Sequence, residues 1–235
     1  MLAVVPIKSF HCAKQRLSPL LDANERAGLS AAMARDVLSA LCATPEIHRV
    51  VICGDEEVAG LAGEFDLEFI AEKSLGASDL NTAVNAIAAH FLRTNVRELL
   101  IVHADLPLLQ PVDIRAVVHA VKFADVAIAP DSVLDGSNLL AWQLDCGFSP
   151  NYGVGSFARH CEQAQARDLL LRICKQPSAR WDIDKPADLL TFLVARPHQR
   201  ALHTHAFLQS SGIATRLNTG RSREFISGTL PHAHA

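Results

Sequence analysis

The stretch ELLIVHADLPLLQP, residues 98–111, decides how the chain is read. Residues 98–103 are apolar almost without interruption, not alternately apolar and polar. A strand that shows no polar face is covered on both sides, which is the condition of a parallel sheet with helices packed above and below it. Pro107 cannot donate to a ladder and ends the strand. Pro111 suits the first turn of a helix, predicted over 111–122. Asp105 therefore falls just past a buried strand, on the edge where open α/β sheets bind their ligands.

The same strand-then-helix unit recurs upstream. Strands are predicted at 2–7, 49–53 and 67–70, and helices at 22–43, 55–63 and 78–92. The helix at 22–43 opens on Asp22 and Glu25 at capping-box spacing, and Leu29, Met33, Val37 and Leu41 form its apolar stripe. A fifth strand is expected at 125–129. Alternation of this kind predicts an α/β fold, a mostly parallel, Rossmann-like sheet with helices on both faces. Past residue 130 the pattern changes to a strand at 138–144, a helix at 155–166, a strand at 180–183 and a helix at 186–195. We take 1–196 as one domain. Residues 197–235 lack apolar periodicity and read as a mobile or loosely docked tail. The tail's HTH (203–205) and HAH (232–234) are either metal ligands or part of a solvated tail.

Bulk properties narrow the function. With 235 residues, 49% hydrophobic and 20% charged, the chain suits a globular protein with a sizeable core. A net charge of −3 supplies no basic face for nucleic acid. Two Trp and one Tyr are too few for base-stacking platforms. Six cysteines without a CxxC pair, zinc spacing or a secretion signal point to free thiols in the cytoplasm. No run of 18 apolar residues is present, so no membrane span is expected.

Four segments carry candidate chemistry. VPIKSFHCAKQRL (5–17) gathers Lys8, Lys14 and Arg16 in the first loop, where such folds hold phosphates, yet it has neither GxGxxG nor GxxxxGK[ST]. Side-chain cations would have to supply the charge there; the alternative is a solvated basic loop. Asp105 in HADLPLL (103–109) is placed to hold magnesium on a bound nucleotide, unless it merely caps a helix. In WDIDKPADL (181–189), Asp182 and Asp184 follow a short strand and share a face; either is a candidate second carboxylate, and either could cap the last helix. APDSVLDGSNLL (129–140) and NYGVGSFARH (151–160) bring a turn and Gly153, Gly155 and Ser156 before a helix, whose amides and hydroxyl suit a second anion; an ordinary N-cap is the alternative. No Ser/His/Asp or Cys/His arrangement is readable, so covalent catalysis is not indicated.

Six pieces in order, VPIKSFHCAKQRL, DLNTAV, HADLPLL, APDSVLDGSNLL, YGVGSFARH and DIDKPADL, resemble the 2-phospho-L-lactate guanylyltransferase family of deazaflavin coenzyme F-420 biosynthesis, over residues 1 to about 195. The resemblance implies a nucleotidyltransferase (glycosyltransferase-A-like) fold. It also implies transfer of GMP from GTP to 2-phospho-L-lactate, phosphoenolpyruvate or 3-phospho-D-glycerate, with release of diphosphate. By position, Lys8, Lys14 and Arg16 match the triphosphate loop. Asp105 and Asp184 match magnesium ligands, and Asn81 lies in the segment that faces the nucleoside. Asn138, Gly153 and Ser156 match positions at the acceptor's carboxylate end. Enzymes of this fold are often dimers, so a homodimer is an expectation too. Two rivals stay open: a nucleotidyltransferase of the same fold using CTP or a sugar phosphate, and a non-catalytic GTP-binding protein.

Overall fold

Alternation along β1 (Leu2–Ile7) sorts its side chains onto two faces, and each face has its own core. Ala3, Val5 and Ile7 pack with the first helix, while Leu2 and Val4 pack on the opposite side. The computed structural model describes residues 1–195 and 200–219. Its sheet has seven strands in the order β3-β2-β1-β4-β6-β5-β7, with β2 (Arg49–Gly54), β3 (Glu68–Ala71), β4 (Glu98–Val102), β5 (Val126–Pro130), β6 (Ser137–Gln143) and β7 (Leu171–Ile173). All pairings are parallel except those of β6, which runs antiparallel between β4 and β5.

Helix α1 (Ala23–Cys42) begins at the expected capping box, in which Asp22 accepts from the Glu25 amide at 2.9 Å and Glu25 accepts from the Asp22 amide at 3.0 Å. Its buried Ala34, Val37, Leu38 and Leu41 share one core with α2 (Ala59–Glu64) and α4 (Pro111–Val121). On the other face, α3 (Leu80–Leu92) buries Ala83, Val84, Ile87 and Phe91 against the even-numbered residues of β1 and against Trp142 of β6. Burial of each large apolar side chain contributes about 1.5–3 kcal/mol, so both helices are fixed chiefly by packing. Helix α5 (Ser156–Ala166) follows the loop after β6, and α6 (Pro186–Ala195) follows the stretch that holds Asp182 and Asp184.

Strand order reverses between β1 and β4, since the chain builds outward through β2 and β3 before returning. A crevice opens outside the carboxyl ends of strands at such a switch point. Here those ends carry Lys8 and Asp105.

Two expectations are corrected. Residues 180–183 are not a strand: Ser178–Arg180 is a 3-10 turn, and the chain beyond it is extended with one bond to the neighbouring loop, from the Ile183 amide to the Asp105 carbonyl at 3.2 Å. The seventh strand lies earlier, at β7, a three-residue edge strand with Arg172 at its centre that leaves little apolar signal. Residues 200–219 do not read as a loosely docked tail. Helix α7 (Leu202–Ser210) lies on α1, and Ala201, Leu208, Ile213 and Ala214 are buried with Leu29 and Met33. A side chain at Gly28 would overlap the Phe207 ring, so the two helices approach at a glycine. Asp36, buried in α1, accepts from the His203 and Thr204 amides at 2.9 Å each and so caps α7 from another element. The HTH lies within this helix; the HAH lies outside the described residues.

Candidate active site

The loop after β1 makes its turns without glycine. Two 3-10 turns, Phe10–Cys12 and Gln15–Leu17, flank Lys14, whose backbone is left-handed at φ 53°. That conformation is unfavourable for a residue with a Cβ. The surroundings impose it. Asp55 accepts from the Ser9 amide at 2.9 Å, Glu57 from the Phe10 amide at 2.6 Å, and Leu17 is fully buried.

The strained residue delivers its ammonium to the switch point. Lys14 Nζ lies 2.6 Å from Asp105 Oδ2 and 3.5 Å from Asp184 Oδ1. Arg16 reaches the other oxygen of Asp184 at 2.7 Å. Burial acts to lower the Lys14 pKa, but the charge and hydrogen bond of Asp105, with Asp184 and Asp182 behind them, hold it above its usual value. Burial likewise works to raise Asp105, and Lys14 overcomes it, keeping the carboxylate below its usual range. Asp182 has no such partner. Burial and then the Asp105 charge push it up to about 6. Asp184 is thus the carboxylate that joins Asp105, and Asp182 stands beside the pair.

A cleft of about 160 Å³ lies over this cluster, lined among others by Lys8, Lys14, His103 and Asp105. Asp105 Oδ1 and His103 Nε2 are buried at its floor and make no hydrogen bond. The unmatched Asp105 oxygen and the second carboxylate fit a magnesium ion, which takes one or two carboxylates and completes its shell with phosphate and water. Among the described residues no group of three His, Cys, Asp or Glu is placed to hold a metal without such help.

The β6 side is assembled differently. The Asn138 carbonyl accepts from the amide of His103, two residues before Asp105, at 3.1 Å; its side chain is buried and donates to the Ala179 carbonyl at 3.0 Å. Gly153 has φ 125°, a conformation that favours glycine, and Arg159 closes over its loop through the Asn151 and Val154 carbonyls. Ser156 is buried at the start of α5. The amides expected to greet an anion are already engaged: Gly155 and Phe157 donate to Asp135 at 3.0 Å each, and Ser156 donates to the Gly153 carbonyl at 3.0 Å. Asn81 uses both ends of its amide on Tyr152, accepting from its N–H at 2.6 Å and donating to its carbonyl at 3.1 Å. It therefore ties α3 to the 151–155 loop.

Sequence reasoning left a buried polar cluster between the two sides without a role. His160 Nε2 accepts from the Asn151 amide at 2.9 Å, which places its proton on Nδ1, 2.9 Å from Ser137 Oγ. Burial, with Arg159 and His103 nearby, pushes its pKa down to about 4. Tyr152 packs edge-on against His160 and tilted against His103. A polar helix position in SFARH was the only available signal.

A sheet of this order, with cations and carboxylates at its switch point, is laid out to hold the phosphates of a nucleotide. Solved structures share the fold. A protein of Desulfovibrio desulfuricans described as a nucleotide-diphospho-sugar transferase superposes with a TM-score of 0.73 at 15% identity, covering 92% of this chain and 96% of its own. A CMP:2-keto-3-deoxy-manno-octonic acid synthetase complexed with CTP gives 0.56 at 12% identity, over 83% and 98%.

The chain belongs to the family described as guanylyl transferase CofC like, which matches residues 1–227. It is 35% identical over 214 residues to the phosphoenolpyruvate guanylyltransferase of Conexibacter woesei, covering 88% of this chain and 94% of the relative. It is 27% identical over 228 residues to the 2-phospho-L-lactate guanylyltransferase of Methanosphaera stadtmanae, covering 96% of each. Among the described residues no helix is long and apolar enough to cross a membrane.

Proposed function

We propose that this enzyme transfers GMP from GTP to the phosphate of a small phosphorylated acid, releasing diphosphate, within deazaflavin coenzyme F-420 biosynthesis. The acceptor is phosphoenolpyruvate, 2-phospho-L-lactate or 3-phospho-D-glycerate. The observation that carries the reading is Lys14 bridging Asp105 and Asp184 at the sheet's switch point. Family membership supports the guanylyl group, and the names of the relatives support the acceptor class.

The chemistry explains why the site has no nucleophile of its own. A phosphate monoester has a second pKa of about 6 and is largely dianionic at neutral pH. One of its oxygens attacks the α-phosphorus of GTP, the bond from that phosphorus to the bridging oxygen breaks, and the electron pair leaves with diphosphate. No proton need be removed, so no general base is required. The obstacle is repulsion between two anions, and positioning with charge neutralisation is the remedy.

Lys8, Lys14 and Arg16 are assigned to the triphosphate and the leaving diphosphate. Asp105 and Asp184 would hold magnesium, which when bound supplies further neutralisation at the reacting phosphates. Asn138, Gly153 and Ser156 are assigned to the acceptor's carboxylate end, supported by the bond of the Asn138 carbonyl to His103, two residues before Asp105, and by the positive φ that shapes the loop at Gly153. Asn81 contributes through the loop it holds, since its own polar atoms are engaged by Tyr152. A cytoplasmic setting is supported by six free cysteines.

The test is diphosphate release from GTP and magnesium with each acceptor in turn. Release that depends on one acceptor confirms the reaction and names the substrate. Release with CTP or ATP but not GTP would overturn the nucleotide assignment, and GTP binding without release from any pair would leave a binding protein.

A further inference from the structure

The chemistry above makes no use of the His160 ring. It is fully buried on the inner face of α5, one turn after Ser156. Its Nδ1 is 2.9 Å from Ser137 Oγ, and its Nε2 accepts from the Asn151 amide at 2.9 Å. Arg159 donates to the Asn151 carbonyl at 3.2 and 3.3 Å, so consecutive residues of α5 hold both main-chain groups of Asn151. The ring is fixed between Phe148 and Tyr152, at centroid distances of 5.7 and 5.3 Å. Strand alternation turns Ser137 and Asn138 to opposite faces. Each is held there, Ser137 by His160 and Asn138 by the Ala179 carbonyl. One ring thus joins the neighbour of Asn138, the loop that carries Gly153 and the helix that carries Ser156. The cluster also reaches the cleft. Tyr152, edge-on to His160, has its ring 5.1 Å from that of His103, which lines the cleft and whose amide donates to the Asn138 carbonyl.

We propose that His160 is a positioning residue for the acceptor: through Ser137 and Asn151 it sets the spacing between the start of β6 and the 151–156 loop. The inference rests on the assignment of Asn138, Gly153 and Ser156 to the acceptor and names what holds the three in register. Neutral imidazole suits the task, because it is rigid, donates from one nitrogen and accepts at the other. Asp135 makes a second link between the same segments, from an exposed position, by accepting from the Gly155 and Phe157 amides. Two links, one buried and one exposed, stop the loop from hinging about either. The charged side of the cleft is built separately, by the ion pairs of Lys14 and Arg16 with Asp105 and Asp184. Loss of the ring should therefore be felt by the acceptor and not by GTP. A displacement of about 1 Å in a substrate-holding group costs on the order of 100-fold in rate.

The experiment compares intact wild type with His160→Leu, His160→Gln and Ser137→Ala. Diphosphate release is followed with magnesium, GTP and whichever of phosphoenolpyruvate, 2-phospho-L-lactate and 3-phospho-D-glycerate wild type uses, alongside GTP affinity and thermal melting. His160→Leu should lower kcat/KM for the acceptor about 100-fold, chiefly through KM, with GTP affinity changed by less than about twofold. His160→Gln, whose amide also offers one acceptor and one donor, should recover to within about tenfold of wild type. Ser137→Ala removes one end of the link and should raise the acceptor KM by roughly tenfold. A residue that only packs would lower the melting temperature, leave the acceptor KM alone and gain nothing from glutamine. An unchanged acceptor KM in the folded variants, or equal losses for GTP and acceptor, would overturn the proposal. Should His160→Leu fail to fold, the other two variants decide by the same criterion. With wild type active, such a failure leaves the reading of the reaction standing. A wild type that releases diphosphate with none of the three acceptors would overturn both.

Discussion

On the β1 side of the cleft, Lys14, Arg16, Asp105 and Asp184 meet through their side chains at 2.6–3.5 Å. On the β6 side, residues 131–136 and 151–157 are tied through main-chain groups, with Asp131 accepting from three amides and Asp135 linking the two loops. Charge builds the first side and backbone shape builds the second. Under the proposed function the first side faces the triphosphate, whose concentrated charge calls for opposite charge, and the second faces the small phosphorylated acid, which a rigid wall distinguishes better than a long side chain would.

The sharpest way to break this comparison is Asp105→Asn. Turnover should fall by about 10³ or more while the circular dichroism spectrum is kept. A near-wild-type rate from the folded variant would remove the carboxylate pair from the reaction.

Next is Lys14→Ala, which leaves Asp105 and Asp184 without their shared cation. GTP affinity should drop about 100-fold and the melting temperature should fall, since breaking a largely buried ion pair costs about 3–5 kcal/mol. The acceptor KM should move by less than about threefold, because only the charged side of the cleft is altered. Titrations in which the acceptor suffers more than GTP would reverse the division of labour.

Gly153→Ala probes the other side. The new Cβ meets a backbone at φ 125° and the Arg159 guanidinium at 3.3 Å. Strain of about 1–3 kcal/mol is expected, read as an acceptor KM raised roughly tenfold with GTP affinity unchanged. Equal losses for both substrates would show that the loop serves the nucleotide as well.

The smallest effect is on stability against pH. His160 is held neutral in the folded protein, with a pKa of about 4 against 6.5 in an unfolded chain. Above 6.5 both states are neutral; below it the unfolded chain takes the proton first, so stability is lost as pH falls from 6.5 towards 4. At about pH 5.5 the loss is on the order of 1 kcal/mol, a few degrees of melting temperature. His160→Gln should flatten that part of the profile, and an unaltered slope would place the titration elsewhere.

Legibility in the sequence follows the same division. From β1 to α4 each element is specified by its own apolar period and its own cap, as the Asp22–Glu25 box and Pro111 show, and the observed boundaries fall within a few residues of those expected. Lys14 and Asp105 announce themselves because charged residues beside a buried strand are few. Partners distant in sequence are not legible. Nothing in LHTHAFLQS shows that Asp36 caps it, nothing in DLNTAV shows that Asn81 is engaged by Tyr152, and the amides of Gly155 and Phe157 look free until Asp135 is seen against them. The strand expected at 180–183 failed because alternation about Ile183 is produced equally well by an extended chain with a single bond to a neighbour.

The cap of α7 also sets an order of events during synthesis. Asp36 and the His203 amide are 167 positions apart. A ribosome adding 5–20 residues per second needs roughly 10–30 s to cover that interval. Throughout it the face of α1 around Gly28 is bare and the Asp36 carboxylate lacks its two donors. The first helix of the chain is thus completed only by its last described segment, and the nascent protein carries an uncovered apolar stripe until residues 201–214 have been made.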